Sequence, residues 1–448
     1  MKKSSVLWML FLVSINFTIP AQDTPAWAKE TPKQKADRMA WWTHDRFGMF
    51  IHWGTYSLAA RHEWVKNNEK ISDADYQKYF EHFDPDLYNP KEWAAKAKAA
   101  GMKYVVITTK HHEGFCLWDS KYTDFKVTNT PYGKDLIKPF VDAFRAEGIK
   151  IGFYYSLIDW HHPDFPYDGV HPNGPKDKDE RKAANATRDI KKYQQYMKNQ
   201  MTELLTKYGR IDELFTDFSY PGENGKGHED WDSEGLLKLI RQLQPNIVVD
   251  NRLDLEHTDW GWDFVTPEQY MPKEWPTIRG KRVPWETCQT FSGSWGYYRD
   301  EHSWKSVRQL VVMLIEVTSK GGNLLLNVGP TARGLFDDRA NERLEGMGKW
   351  MYLNSRSIYG CTQAPDDFKT PENCLLTYHP ATKRLYVHVL DWPFQTLHLP
   401  GFAGKFKYAQ LLNDASEVRF NITGDDVTFN LPVQKPNTEV PVIELYLE

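Results

Sequence analysis

The chain has 448 residues, 41% hydrophobic and 26% charged, with a formal net charge of −4. That length holds a barrel-sized domain plus an accessory one, and the composition is that of an ordinary globular protein. The negative balance and the lack of a Lys/Arg stripe exclude a nucleic-acid binder.

The N-terminus reads as a targeting segment. Lys2 and Lys3 precede an almost wholly apolar run from Val6 to Val13, and Thr18-Ile19-Pro20-Ala21 offers a cut before Gln22. Residues 1–21 are expected to be a signal peptide, and the mature protein to be exported to a periplasm or beyond. The apolar run is too short to span a bilayer, and no other segment reads as transmembrane, so no membrane insertion is expected.

From about residue 45 short apolar runs alternate with helical stretches. The strand candidates are 50–52, 104–109, 151–156, 213–217, 247–251, 264–268, 285–289 and 324–328. Amphipathic stretches at 90–100, 136–147, 187–208, 233–243 and 306–319 separate several of them. Continuously apolar strands between helices predict a parallel sheet buried on both faces, and eight such units fit a (β/α)8-like (TIM) barrel. No G-x-G-x-x-G follows the first strand, which removes the main functional reason to prefer an open doubly wound sheet. A long polar loop over 161–186 is expected to hang over the barrel mouth. After Tyr359-Gly360 the texture changes to alternating runs broken by turn residues, with no helical stretch between them. The predicted organisation is therefore a catalytic barrel over 30–358 and a C-terminal antiparallel β-sandwich over 359–448.

The chemistry collects at the strand ends. In such a barrel the working residues sit at the C-terminal ends of the strands. Here those ends carry His52, His111-His112-Glu113, Tyr154, Asp217, Asp250-Asn251-Arg252, Glu268 and Glu286. Two neighbouring imidazoles on an extended segment point opposite ways, and no H-E-x-x-H is present, so no metal is expected. No G-x-S-x-G elbow is present either. Of the four cysteines (Cys116, Cys288, Cys361 and Cys374), no two form a C-x-x-C pair, which removes zinc-ribbon and thioredoxin-like readings. What remains is a carboxylate pair cleaving a glycosidic bond, one acid as nucleophile and the other as acid/base. Asp217 reads as the nucleophile and Glu268 as the acid/base, with Glu286 competing for the second role. The 18 Trp, 23 Tyr and 23 Phe add a pointer to carbohydrate, since aromatic faces stack on sugar rings.

Dense motifs carry a resemblance. "RFGMFIHWG" at 46–54, "KHHEGFCLW" at 110–118, "GFYYS" at 152–156, "SWGYYRDE" at 294–301 and "SKGGNLLLNVGP" at 319–330 resemble the α-L-fucosidase family of retaining glycoside hydrolases, family 29. The resemblance implies hydrolysis of terminal α-L-fucosyl residues from fucosylated oligosaccharides or glycoconjugates, by way of a covalent glycosyl-enzyme and with no cofactor. It implies a sugar pocket formed by His52, Glu63, Trp64, His111, His112, Tyr154, Arg252 and Trp295, the nucleophile at Asp217, and the acid/base at Glu268 or Glu286. Two stretches depart from the family's pattern. The nucleophile strand often reads Trp-x-Asp-Gly and here is Phe215-Thr216-Asp217-Phe218; the fifth strand often ends Asn-Asp-Arg and here ends Asp250-Asn251-Arg252. A hydrolase of a related galacto-configured sugar such as an α-L-galactoside, or a non-catalytic fucose-binding protein, are the alternatives.

Overall fold

The computed structural model describes residues 24–222 and 224–448; the expected signal peptide lies outside them. Seven parallel strands form a curled sheet: β1 (Phe47–Ile51), β2 (Tyr104–Lys110), β3 (Lys150–Ser156), β4 (Glu213–Asp217), β5 (Val248–Val249), β8 (Glu286–Thr290) and β9 (Asn323–Val328). A small antiparallel hairpin, β6 (Thr277–Ile278) with β7 (Lys281–Arg282), lies between β5 and β8 in sequence. The order β5-β4-β3-β2-β1-β9-β8 leaves one gap, between β5 and β8.

The segment 264–268, expected as the sixth strand, fills that gap with single bridges: Asp250 to Phe264, Val265 to Trp285 and Glu268 to Cys288. Its hydrogen bonds to the β8 side are nonetheless made. Val265 N–H donates to the Pro284 carbonyl at 3.0 Å, and Cys288 N–H donates to the Pro267 carbonyl at 3.2 Å. Pro267 has no N–H to return, so no regular ladder forms here, yet the barrel closes. Helices surround the sheet, including Pro90–Ala99, Ile137–Ala146, Ile190–Lys207, Ser233–Leu243 and Val307–Ser319, and each matches an amphipathic stretch of the sequence. Every residue of β1, β2, β4, β8 and β9 is buried, as strands covered on both faces must be.

The C-terminal part holds a five-stranded sheet, β10 (Thr362–Gln363), β11 (Cys374–His379), β12 (Arg384–Val389), β17 (Val442–Leu447) and β14 (Phe406–Leu411), in that order. A three-stranded sheet of β13 (Thr396–Leu399), β16 (Asp426–Asn430) and β15 (Arg419–Thr423) packs on it. Between them Leu399, Phe402, Val427, Phe429, Ile443 and Leu445 form a separate apolar core. The unit is docked on the barrel's last helices. Trp350 Nε1–H donates to the Val440 carbonyl at 2.9 Å, and Arg308 donates to the carbonyls of Glu439 at 2.9 Å and Leu390 at 2.6 Å.

The loop at 161–186 departs from expectation, since none of its residues lines the cavity at the barrel mouth. It props a neighbouring turn instead. Asp168 forms a buried ion pair with Lys226 at 3.1 Å, and Gly169 N–H donates to the Asn224 carbonyl at 2.9 Å. This supports Ser219 and Tyr220, which do form the cavity wall.

Candidate active site

A cavity of about 370 Å³ opens at the C-terminal ends of the strands. That volume suits one hexose-sized ring. Its lining brings together His52, Trp64, His111, His112, Tyr154, Asp217, Arg252, Glu268 and Trp295 from eight separate segments of the chain.

Asp217 ends β4 and points into the cavity, with its side chain 12% exposed. Its Oδ1 accepts from Arg252 Nη1 at 2.5 Å, and its Oδ2 accepts from the Tyr154 hydroxyl at 2.6 Å. The Tyr154 phenol is held far above its ordinary pKa, first by burial and then by the Asp217 charge, so it stays a donor. Arg252 Nη2 also donates to Glu268 Oε2 at 2.8 Å. One guanidinium therefore spans both carboxylates. This fork matches two acceptors and could not be reproduced by a point charge. Glu268 is the more open acid, with 43% of its side chain exposed at the cavity rim.

His52 and His112 are held as neutral acceptors. Burial, and then the neighbouring His111, keeps His52 well below its usual titration range. The Asn327 amide nitrogen donates to the Trp295 carbonyl at 2.6 Å, so Asn327 Oδ1 is the acceptor that takes the His52 Nδ1 proton at 2.7 Å. His52 Nε2 is left with a lone pair. The same logic holds at His112, also kept neutral by burial first and by His111 next. The Ser156 hydroxyl donates to the Ile158 carbonyl at 2.7 Å, so it accepts from His112 Nδ1 at 2.8 Å. His112 Nε2 then sits 3.8 Å from Asp217 Oδ2, without a hydrogen bond to it. Both rings can accept sugar hydroxyl protons.

The segment between the second and third strands is built tightly. Gly114 has φ +88°, and a Cβ there would lie 2.3 Å from Asp159 Oδ1. Only glycine fits. Asp159 in turn pairs with the fully buried Lys110 at 3.1 Å. That pair ties the end of β2, directly before His111 and His112, to the loop after β3.

An apolar wall faces the carboxylates. Phe50, Phe215, Cys288 and Trp295 line it, with the Phe50 and Phe215 rings 5.2 Å apart. Phe218, which follows the nucleophile candidate where the family often has glycine, keeps a glycine-like backbone at φ +80°. Its ring packs 4.9 Å from His112 and 5.4 Å from Trp64. A bulky residue in the left-handed region stores strain that the surrounding packing holds in place.

Two of the expected site residues lie elsewhere. Glu63 is buried behind the pocket, where its Oε2 accepts from Gly296 N–H at 2.8 Å, and it lines a shallower groove beside Trp64 and Trp295. Glu286 corrects the reading that placed it at a strand's end. It is the first residue of β8 and fully buried, and it accepts from the Tyr104 hydroxyl, the first residue of β2. Glu213 opens β4 and Asn323 opens β9, in register with Glu286. These residues form the bottom layer of the barrel, on the opposite side from the mouth, where side chains serve stability. Glu286 cannot reach a sugar in the cavity.

Sequence reasoning missed Phe50, Phe218, Ser219, Tyr220, Thr266 and Cys288 as cavity lining. Phe50 carried a usable signal, because it lies two residues before His52 and shares its face of the strand. Thr266 receives the Arg252 Nε proton at 2.7 Å, and no pattern in the sequence announces that contact.

The chain as a whole is similar to known proteins. A family model described as alpha-L-fucosidase matches residues 15–356. The plasma alpha-L-fucosidase of Homo sapiens is 28% identical over 398 residues, covering 82% of this chain and 79% of the relative. Among solved structures, alpha-L-fucosidase isoenzyme 1 from Paenibacillus thiaminolyticus superposes with a TM-score of 0.86 at 46% identity, over 92% of this chain and 99% of that one. A family 29 alpha-L-fucosidase from Bacteroides thetaiotaomicron, captured as a covalent intermediate with 2-fluoro-fucosyl fluoride, superposes at 0.79 and 27% identity, over 94% of this chain and 97% of that one.

Proposed function

We propose how the pocket divides its labour from one premise: the chain belongs to the α-L-fucosidase family, glycoside hydrolase family 29, and is a retaining α-L-fucosidase. Asp217 is the nucleophile and Glu268 the acid/base. The observation that carries this is the Arg252 fork joining these two carboxylates in the one cavity that also holds the histidines.

The Asp217 carboxylate attacks C1 of the fucosyl ring while the glycosidic oxygen takes a proton from Glu268. The C1–O bond breaks as the ester forms. Glu268 then removes a proton from water, and the resulting attack at C1 frees Asp217 and fucose with the original configuration. Arg252 and Tyr154 orient the Asp217 carboxylate before attack, so little reorganisation is left for the transition state. The exposed rim position of Glu268 allows proton exchange with solvent between the two half-reactions. His52 and His112 accept hydroxyl protons from the ring, and the Phe50–Phe215 wall receives the C6 methyl group of a 6-deoxy sugar.

Azide distinguishes the two roles. E268A acting on an activated aryl fucoside should be accelerated by azide and yield α-L-fucosyl azide, since azide opens the ester from the face water would use. D217A with azide should yield the β-configured azide by a single displacement. A β-configured product from E268A would reverse the assignment. The N-terminal segment supports export, and N-terminal sequencing of the mature protein should start at Gln22; a start at Met1 would exclude it.

A further inference from the structure

Asp250 is fully buried at the end of β5, where it holds the residue before Asp217 and the arginine that bonds both Asp217 and Glu268, without lining the cavity. Its Oδ1 accepts from the Thr216 hydroxyl at 2.7 Å, from Thr216 N–H at 3.3 Å and from Arg252 N–H at 3.4 Å. Thr216 is the residue before Asp217, and Arg252 is the fork that holds Asp217 and Glu268. Side chains alternate along a strand, so Thr216 points away from the cavity as Asp217 points into it. Anchoring one fixes the direction of the other. The anchor is needed here because the residue on the far side of Asp217, Phe218, holds a left-handed backbone at φ +80°.

We propose that Asp250 is a positioning residue for the hydrolysis, locking the nucleophile's strand end to the arginine that clamps both catalytic carboxylates. This rests on the assignment of Asp217 as nucleophile. Only Oδ1 is used; Oδ2 is buried and has no partner among the described residues. Burial raises the Asp250 carboxyl to about 8; the Arg252 charge opposes this and the Asp217 charge adds to it. The remaining titratable group that acts on it among the described residues is Glu213, on the barrel floor. At neutral pH the proton stays on Asp250, Oδ1 still accepts its three bonds, and the guanidinium charge is left undivided for Asp217 and Glu268. Ionisation of Asp250 would bring a third negative charge to the same arginine. An amide at this position reproduces the protonated form and cannot ionise.

The test is the pH profile of D250N, D250A and T216V on α-L-fucosyl fluoride, whose leaving group departs without protonation, so the acid/base does not shape the alkaline limb. D250A should lower kcat about 100-fold with KM within threefold of the wild type. The wild type should decline in kcat above about pH 8 as Asp250 ionises, and D250N should restore kcat to within threefold of the wild type and show no such decline. T216V, which removes the strongest donor without touching Asp250, should lower kcat about tenfold and decides the matter if D250A does not fold. The proposal is overturned if D250N is as impaired as D250A, if D250N retains the alkaline decline, or if T216V matches the wild type. Failure of the underlying nucleophile assignment would show separately, as full turnover by D217A.

Discussion

Replacing Glu286 with glutamine separates two accounts of this residue in a single variant. Burial pushes the Glu286 carboxyl up to about 7 from an ordinary 4.5. Glu213 beside it is raised well above its ordinary value, by burial first and by the Glu286 charge next. Both oxygens of Glu213 and one of Glu286 lack a hydrogen-bond partner among the described residues. A folded-state pKa above the unfolded value means that the folded chain keeps a proton the unfolded chain surrenders. Stability is therefore full below about pH 4.5 and declines as pH rises toward 7. At 1.36 kcal/mol per unit, that window costs roughly 3 kcal/mol by pH 8. Glutamine keeps the acceptor for Tyr104, carries no charge, and offers an amide donor to Glu213. E286Q should match the wild type in denaturant stability near pH 5 and exceed it by roughly 3 kcal/mol at pH 8. Its kcat on an aryl fucoside should stay within about twofold of the wild type. A folded E286Q with kcat reduced by orders of magnitude would place this residue in the chemistry. A variant destabilised equally at every pH would refute the proton-holding argument.

Other substitutions follow from the pocket. Y154F removes the hydroxyl that donates to Asp217 at 2.6 Å; loss of a bond to a charged group, worth about 1.5–3 kcal/mol, should lower kcat by 10- to 150-fold in steady-state assays while near-ultraviolet dichroism is unchanged. R252K supplies charge but no fork, so kcat/KM should fall by about 100-fold or more, with added guanidine restoring activity better than added ammonium. F218G relieves the left-handed strain of about 1–3 kcal/mol while losing ring contacts, so the thermal midpoint should barely move while KM for an aryl fucoside rises several-fold.

Much of this architecture is legible in the residues. The apolar runs ending in Asp217 and Glu268 single out their carboxylates, and both side chains line the cavity. The C-terminal alternating runs each become a strand, since period-two patterning against turn residues leaves little else to form. The sixth barrel strand was visible in its pattern but not in its irregularity, which comes from the missing N–H of Pro267. Glu286 misled because a polar strand such as Glu-Thr-Cys-Gln-Thr does not declare which end faces the mouth. Only the register with Asn323 settles that the acid lies at the bottom. The Arg252 fork could not be read from spacing, as it depends on a loop backbone placing one side chain between strands 35 and 16 residues away in sequence. The transposed Asp250-Asn251 pair was visible as a departure, and only burial gives it meaning.

The covalent ester is the point on which the mechanism stands. Incubation with 2-fluoro-α-L-fucosyl fluoride, followed by proteolysis and mass spectrometry, should find one fluorofucosyl group on the peptide bearing Asp217, with fragmentation placing it on that side chain. Labelling of Glu268 or of any other residue, or continued hydrolysis with no labelled peptide, would contradict it.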